Sequence, residues 1–143
     1  MESLIRSCKS QKIEPSSSIM YTEDLVRLGG KHVEHFKGVY ALDELNSSHI
    51  QRFRPPPARF IVNTHTKNLS GEHWLAVSYE NDGIVYAFDP LGLYYPPRLS
   101  NFLKRLGRKV VFNTRTYQNP FLPTCGIHCL DWLRQQQQLH RQR

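Results

Sequence analysis

His73-Trp74-Leu75-Ala76-Val77-Ser78-Tyr79-Glu80-Asn81-Asp82-Gly83-Ile84-Val85-Tyr86-Ala87-Phe88-Asp89 reads as two strands joined by a tight turn. Apolar, β-branched and aromatic residues flank Asn81-Asp82-Gly83, a hairpin signal. In an antiparallel pair the first residue of one strand lies beside the last residue of its neighbour. His73 and Asp89 are therefore expected side by side, the geometry in which a carboxylate orients an imidazole. Upstream, Arg59-Phe60-Ile61-Val62-Asn63 is a further strand, separated from the hairpin by a polar loop from His65 to Ser70. Downstream, Val110-Val111-Phe112 is a fourth.

The second informative stretch is Tyr117-Gln118-Asn119-Pro120-Phe121-Leu122-Pro123-Thr124-Cys125-Gly126-Ile127-His128-Cys129. A proline-broken loop runs into Cys125, and Gly126 opens a segment with Ile127, Leu130, Trp132 and Leu133 at helical spacing. A thiol at that junction sits at the positive end of the helix dipole, where the nucleophilic thiolate is favoured. Such a nucleophile needs a base, a group to orient that base, and a donor for the developing oxyanion. His73, Asp89 and Gln118 are the candidates. Taken singly, Cys125 reads as a core cysteine, His73 as a structural imidazole, Asp89 as a cap on the turn at Pro90, and Gln118 as a loop amide. Together they point to a cysteine protease. Gly126 leaves room for a substrate beside the sulfur, whereas Cys129, one turn on, is expected in the core.

The rest of the chain frames this site. A length of 143 residues fits one domain. Residues 1–20 are polar and Ser-rich and are expected to form a flexible arm in which Cys8 is incidental. Thr22, Glu23 and Asp24 start a short helix through Leu25, Val26 and Leu28, and Gly29-Gly30 reads as its stop rather than as a processing site. His32 and His35 read as surface residues. Phe36 to Ala41 leads into Asp43-Glu44-Leu45, read as a turn with a further helical turn as the alternative. Arg52-Phe53-Arg54-Pro55-Pro56-Pro57 is a stiff, polyproline-like connector. Leu99, Phe102, Leu103 and Leu106 share one helical face that ends at Gly107. The domain is thus placed at residues 21–134, followed by a polar tail at 135–143 that is expected to fray.

Composition bounds the setting. Three cysteines make a disulfide scaffold improbable and fit a reducing compartment. Cys125, His128 and Cys129 with an upstream histidine lack the second cysteine pair of a zinc site, so no metal is expected. No apolar run approaches a membrane span and no signal-peptide core is present, so a soluble, unsecreted protein is expected. The net charge of +7 implies affinity for polyanions. Lys104, Arg105, Arg108, Lys109, Arg115 and Arg134 are the candidate phosphate contacts, with a merely solvated face as the equal alternative.

The order Gly71-x-His73-Trp74, then Phe88-Asp89-Pro90-Leu91-Gly92, then Gln118, then Cys125-Gly126 with Cys129 resembles the adenovirus protease (adenain) family. That family shares a clan with the proteases of SUMO and other ubiquitin-like modifiers. The resemblance runs over residues 21–133 and includes Ile61-Val62-Asn63-Thr64, Leu28-Gly29 and Gly38. It implies an α+β, papain-like, adenain-type fold: a mostly antiparallel sheet with packed helices and the cysteine at a helix N-terminus. By resemblance, Cys125 is nucleophile, His73 base and Asp89 the orienting acid. Gln118 and the Cys125 backbone N–H form the oxyanion hole, and Trp74 packs beside the site, where it and Gly126 are the expected substrate-binding residues. Asp89 stands where adenovirus enzymes usually carry Glu, and matches the modifier proteases instead. The resemblance also implies a monomer that cuts viral precursor proteins at Gly-Gly or Gly-x-Gly sites in the virion or host nucleus. The chemistry needs no cofactor, but DNA and an activating peptide belong to the family pattern. No cysteine near Val110 to Asn113 offers that peptide a disulfide. Removal of a ubiquitin-like modifier, or nucleic-acid binding on a degenerate protease fold, are the rival functions.

Overall fold

The computed structural model describes residues 22–64, 73–90, 95–113 and 125–141. Helix α1 (Thr22–His32) leads into strand β1 (Phe36–Ala41), a 3-10 turn at Leu42–Glu44 and helix α2 (Ser47–Arg52). Strands β2 (Ala58–Asn63), β3 (Trp74–Tyr79) and β4 (Ile84–Phe88) follow, then helix α3 (Pro97–Leu106), strand β5 (Lys109–Phe112) and helix α4 (Cys125–Arg141). Among the described residues the sheet has five strands in the order β1-β2-β3-β4-β5. Its centre is antiparallel, with Phe60 opposite Val77 and Ser78 opposite Tyr86. Both edges are parallel, β1 on β2 and β4 on β5. The α+β class is as read from the sequence, while the sheet is mixed because both edge strands are reached by crossovers carrying helices.

The two-residue period of the strands divides the core. Phe60, Val62, Leu75, Val77, Val85 and Ala87 face α2 and α3, whose Ile50, Leu99, Phe102, Leu103 and Leu106 cover them. Ile61, Trp74, Ala76 and Phe88 face α1 and α4, which bring Leu25, Leu28, Cys129, Leu130 and Leu133. Every residue of β3 is buried because both faces of the sheet are covered. This places β3 in the middle of the molecule, with His73 at its partly exposed head.

Several sequence expectations need correction. Helix α1 passes through Gly29-Gly30 to His32. Gly29 is needed for space, since a Cβ there would lie 2.4 Å from the Phe36 ring. The helical run ends before His35, which takes φ 57°. Phe36 to Ala41 is a strand, broken in register between Phe36 and Gly38. A further short helix, α2, is capped by Asn46, whose side chain accepts the Ser48 N–H at 2.9 Å. The proline connector carries cis bonds at Arg54-Pro55 and Pro56-Pro57. Residues 135–141 of the expected fraying tail are instead the C-terminal half of α4. Gln137 is buried and its Oε1 accepts the Glu34 N–H at 2.8 Å, while Arg141 pairs with Glu34 and His140 packs on Tyr86.

Gly107 does end α3, with its N–H donating to the Leu103 carbonyl. Its role is close approach: a Cβ would lie 2.7 Å from the Gly83 carbonyl oxygen and 2.7 Å from Val85 Cγ2. Neither neighbour can swing away. Gly107→Ala is expected to cost about 1–3 kcal/mol of stability by overpacking, visible as a lower urea midpoint with an unchanged slope.

Candidate active site

The β3–β4 hairpin brings His73 and Asp89 together, with His73 Nε2 2.9 Å from Asp89 Oδ1. The imidazole is 21% exposed and the carboxylate 1% exposed. One end of the pair therefore reaches the surface while the other is sealed in the protein. The Thr64 N–H donates to the His73 carbonyl at 3.1 Å, extending the β2–β3 ladder to His73 and fixing its backbone.

Asp89 is held from the opposite side by two residues that sequence reasoning did not select. Its N–H donates to Asn113 Oδ1 at 2.7 Å and to the Tyr95 hydroxyl at 3.0 Å. Asn113 Nδ2 donates back to the Asp89 carbonyl at 3.3 Å. Burial, above all, pushes the Tyr95 phenol well above its ordinary range, so it stays protonated. The signal for Asn113 is its place one residue after β5, and it becomes readable only once β4 and β5 are known to run parallel.

Helix α4 crosses the face carrying Trp74 and Phe88. The Cys129 thiol donates to the Trp74 carbonyl at 3.3 Å. Trp132 stacks on Phe88 with ring centroids 5.1 Å apart, and His140 lies 5.1 Å from the Tyr86 ring. These contacts give α4 its direction. Its first turns lie at the end of the hairpin that holds His73 and Asp89, and its last turns run away from it. Cys125 is the first residue of α4, about 6 Å along the axis from Cys129 at 1.5 Å per residue. Cys129 is buried in the core, as read from the sequence.

The side chain of Cys125 lies outside the described residues, as do Gln118, Arg115, residues 65–70 and the N-terminal arm. Gly126 is buried at the second position of α4. Trp74, at 4% exposure, packs between the sheet and α4. Its position orders the elements that meet at the site.

The candidate phosphate contacts do not share one face. Lys104 and Arg105 end α3, and Arg108 and Lys109 follow it into β5. Arg134 belongs to α4, across the sheet, where its charge and that of Lys31, after burial, hold the His32 imidazole below its ordinary range. Arg105 Nη2 donates to Ser47 Oγ at 3.0 Å and Arg108 Nε to the Asp82 carbonyl at 2.9 Å. Among the described residues, no group of three His, Cys, Asp or Glu side chains could hold a metal ion. No described helix is long and apolar enough to cross a membrane.

No family model matches the chain. The chain is 26% identical over 106 residues to a protein named protease from Bovine adenovirus C serotype 10, covering 62% of this chain and 54% of that one. It thus spans about half the length of that relative. A crystal structure of an ASFV protease matches with a TM-score of 0.56 at 15% identity, covering 86% of this chain and 60% of that chain. The sequence is similar to an adenovirus protease, and the fold is the α+β, adenain-type architecture.

Proposed function

We propose that the chain is a cysteine endopeptidase with Cys125 as nucleophile, His73 as base, Asp89 as orienting acid and Gln118 as oxyanion donor. The observation that carries this reading is the 2.9 Å contact between His73 and Asp89 at the end of the sheet where α4 begins with Cys125. Because Nε2 faces Asp89, the other ring nitrogen, Nδ1, is the one assigned to the thiol. His73 takes the thiol proton and the sulfur attacks the scissile carbonyl. The Gln118 amide and the Cys125 N–H receive the charge that develops on the carbonyl oxygen. Collapse expels the amine, which leaves with the proton held by His73, and the acyl group remains on sulfur as a thioester. Water, giving a proton to His73, then releases the acid and restores the thiol.

Protein substrates follow from the chemistry. The family resemblance read from the sequence extends this to viral precursors cut at Gly-Gly or Gly-x-Gly sites in the virion or host nucleus. Stimulation by DNA or a short peptide belongs to the same reading. Fluorogenic peptides containing Gly-Gly and Gly-x-Gly are expected to be hydrolysed by the full chain, and Cys125→Ala is expected to abolish turnover while the thermal midpoint holds. Turnover that persists in Cys125→Ala contradicts the mechanism. Cleavage confined to fusions of a ubiquitin-like modifier replaces the precursor substrates with conjugates.

A further inference from the structure

The Asp89 backbone is gripped by a side chain. Strand β4 ends at Phe88, and Pro90 turns the chain away, so Asp89 is the last residue that the β4–β5 ladder can reach. The ladder continues for one more bond, from the Asn113 N–H to the Ala87 carbonyl at 3.0 Å. Beyond that point the Asn113 side chain substitutes for backbone. Its Oδ1 accepts from the Asp89 N–H at 2.7 Å and its Nδ2 donates to the Asp89 carbonyl at 3.3 Å. One amide therefore meets both peptide groups of the acid, as a paired strand would.

Tyr95 locks that amide in turn. Its hydroxyl contacts Asn113 Oδ1, lies 3.0 Å from the Asn113 carbonyl, and accepts from the Asp89 N–H at 3.0 Å. The Tyr95 ring packs on Phe112, with centroids 4.7 Å apart. Asp89 follows β4, Tyr95 precedes α3 and Asn113 follows β5, so three separate stretches of chain meet here.

We propose that Asn113, held by Tyr95, is a positioning residue that aims the Asp89 carboxylate at His73. This rests on the catalytic reading above, and its action is indirect, through Asp89. Freed backbone at Asp89 would let the carboxylate swing, and small misplacements of catalytic groups carry large rate penalties.

The test uses the full chain with Asn113→Ala and, separately, Tyr95→Phe, which keeps the ring packing on Phe112. Two readouts are taken: steady-state hydrolysis of a Gly-Gly peptide, and the NMR resonance of the His73 imidazole N–H bonded to Asp89. Asn113→Ala is expected to lower kcat about tenfold or more with little change in KM, and to move that resonance upfield. Tyr95→Phe is expected to do the same to a smaller degree, and it carries the test if Asn113→Ala fails to fold. Unchanged kcat and an unchanged resonance in a folded variant overturn the proposal while leaving the catalytic reading intact. If the unmodified chain hydrolyses nothing, the catalytic reading fails by itself. The resonance then still decides whether Asn113 aims Asp89, a shift upholding that geometry and an unmoved signal refuting it.

Discussion

His73→Ala is expected to lower the rate of peptide hydrolysis by a factor on the order of a hundred or more, the share of a general base. The imidazole has two duties in the proposed cycle, taking the thiol proton and handing one to the leaving amine. Both require the ring to stand where Asp89 holds it, 2.9 Å from Oδ1. The ring is partly exposed, so its removal opens Asp89 to water more than it empties the core. A modest change in thermal midpoint should therefore accompany a large loss of rate. Substrate affinity should change little, because the ring meets the reacting atoms rather than the peptide as a whole. Steady-state kinetics at neutral pH beside a melting curve separate these effects. A variant that melts normally and retains most of its kcat would remove His73 from the mechanism.

The second large effect concerns folding. Arg59→Ala is expected to destabilise the chain by about 3–5 kcal/mol, the usual consequence of stranding one member of a buried ion pair. Arg59 is 4% exposed and Glu80 1% exposed. The guanidinium is bidentate, with Nε 2.9 Å from Oε2 and Nη2 2.8 Å from Oε1 of Glu80. Its Nη1 donates to the Glu34 carbonyl at 2.9 Å, and the Ser78 hydroxyl donates to the same carboxylate. The pair thus joins β2, the end of β3 and the turn between α1 and β1. Domains hold only about 5–15 kcal/mol in total, so the loss takes a large part of the margin. Arg59→Met combined with Glu80→Leu should recover most of it, because apolar pairs often replace buried ion pairs at little cost. Urea unfolding of the single and double variants checks both statements. Equal midpoints for Arg59→Ala and the unmodified chain would show that water reaches Glu80.

The contrast between these residues shows what could be read from the chain alone. His73 and Asp89 were legible because a hairpin is local: alternating strands and an Asn81-Asp82-Gly83 turn place their outer ends together without knowledge of the rest. Helix α3 was legible from the spacing of Leu99, Phe102, Leu103 and Leu106, which all lie in the core. Strand β1 was not, since its pairing with β2 is parallel and its register is interrupted at Gly38, where φ is +119°. Gly29-Gly30 misled because a helix stop and a helix contact leave the same letters. Only the Phe36 ring distinguishes them. The glutamine-rich end of α4 carries little apolar period, and its order comes from Gln137 and Arg141 meeting Glu34 across the fold. Asn113 and Arg59 escaped notice for a related reason: each acts through a partner distant in sequence.

The start of α4 and the outer end of the hairpin are proposed to form one reactive site. Alkylation of Cys125 by iodoacetamide near pH 6, in the full chain and in His73→Ala, tests it most directly. An activated thiolate beside an imidazolium at a helix start reacts well below the usual range of a free thiol, about pH 8.5. Cys125 is expected to label fast relative to Cys8 and Cys129, with the advantage lost in His73→Ala. Labelling of Cys125 no faster than Cys8, and indifferent to residue 73, would contradict it.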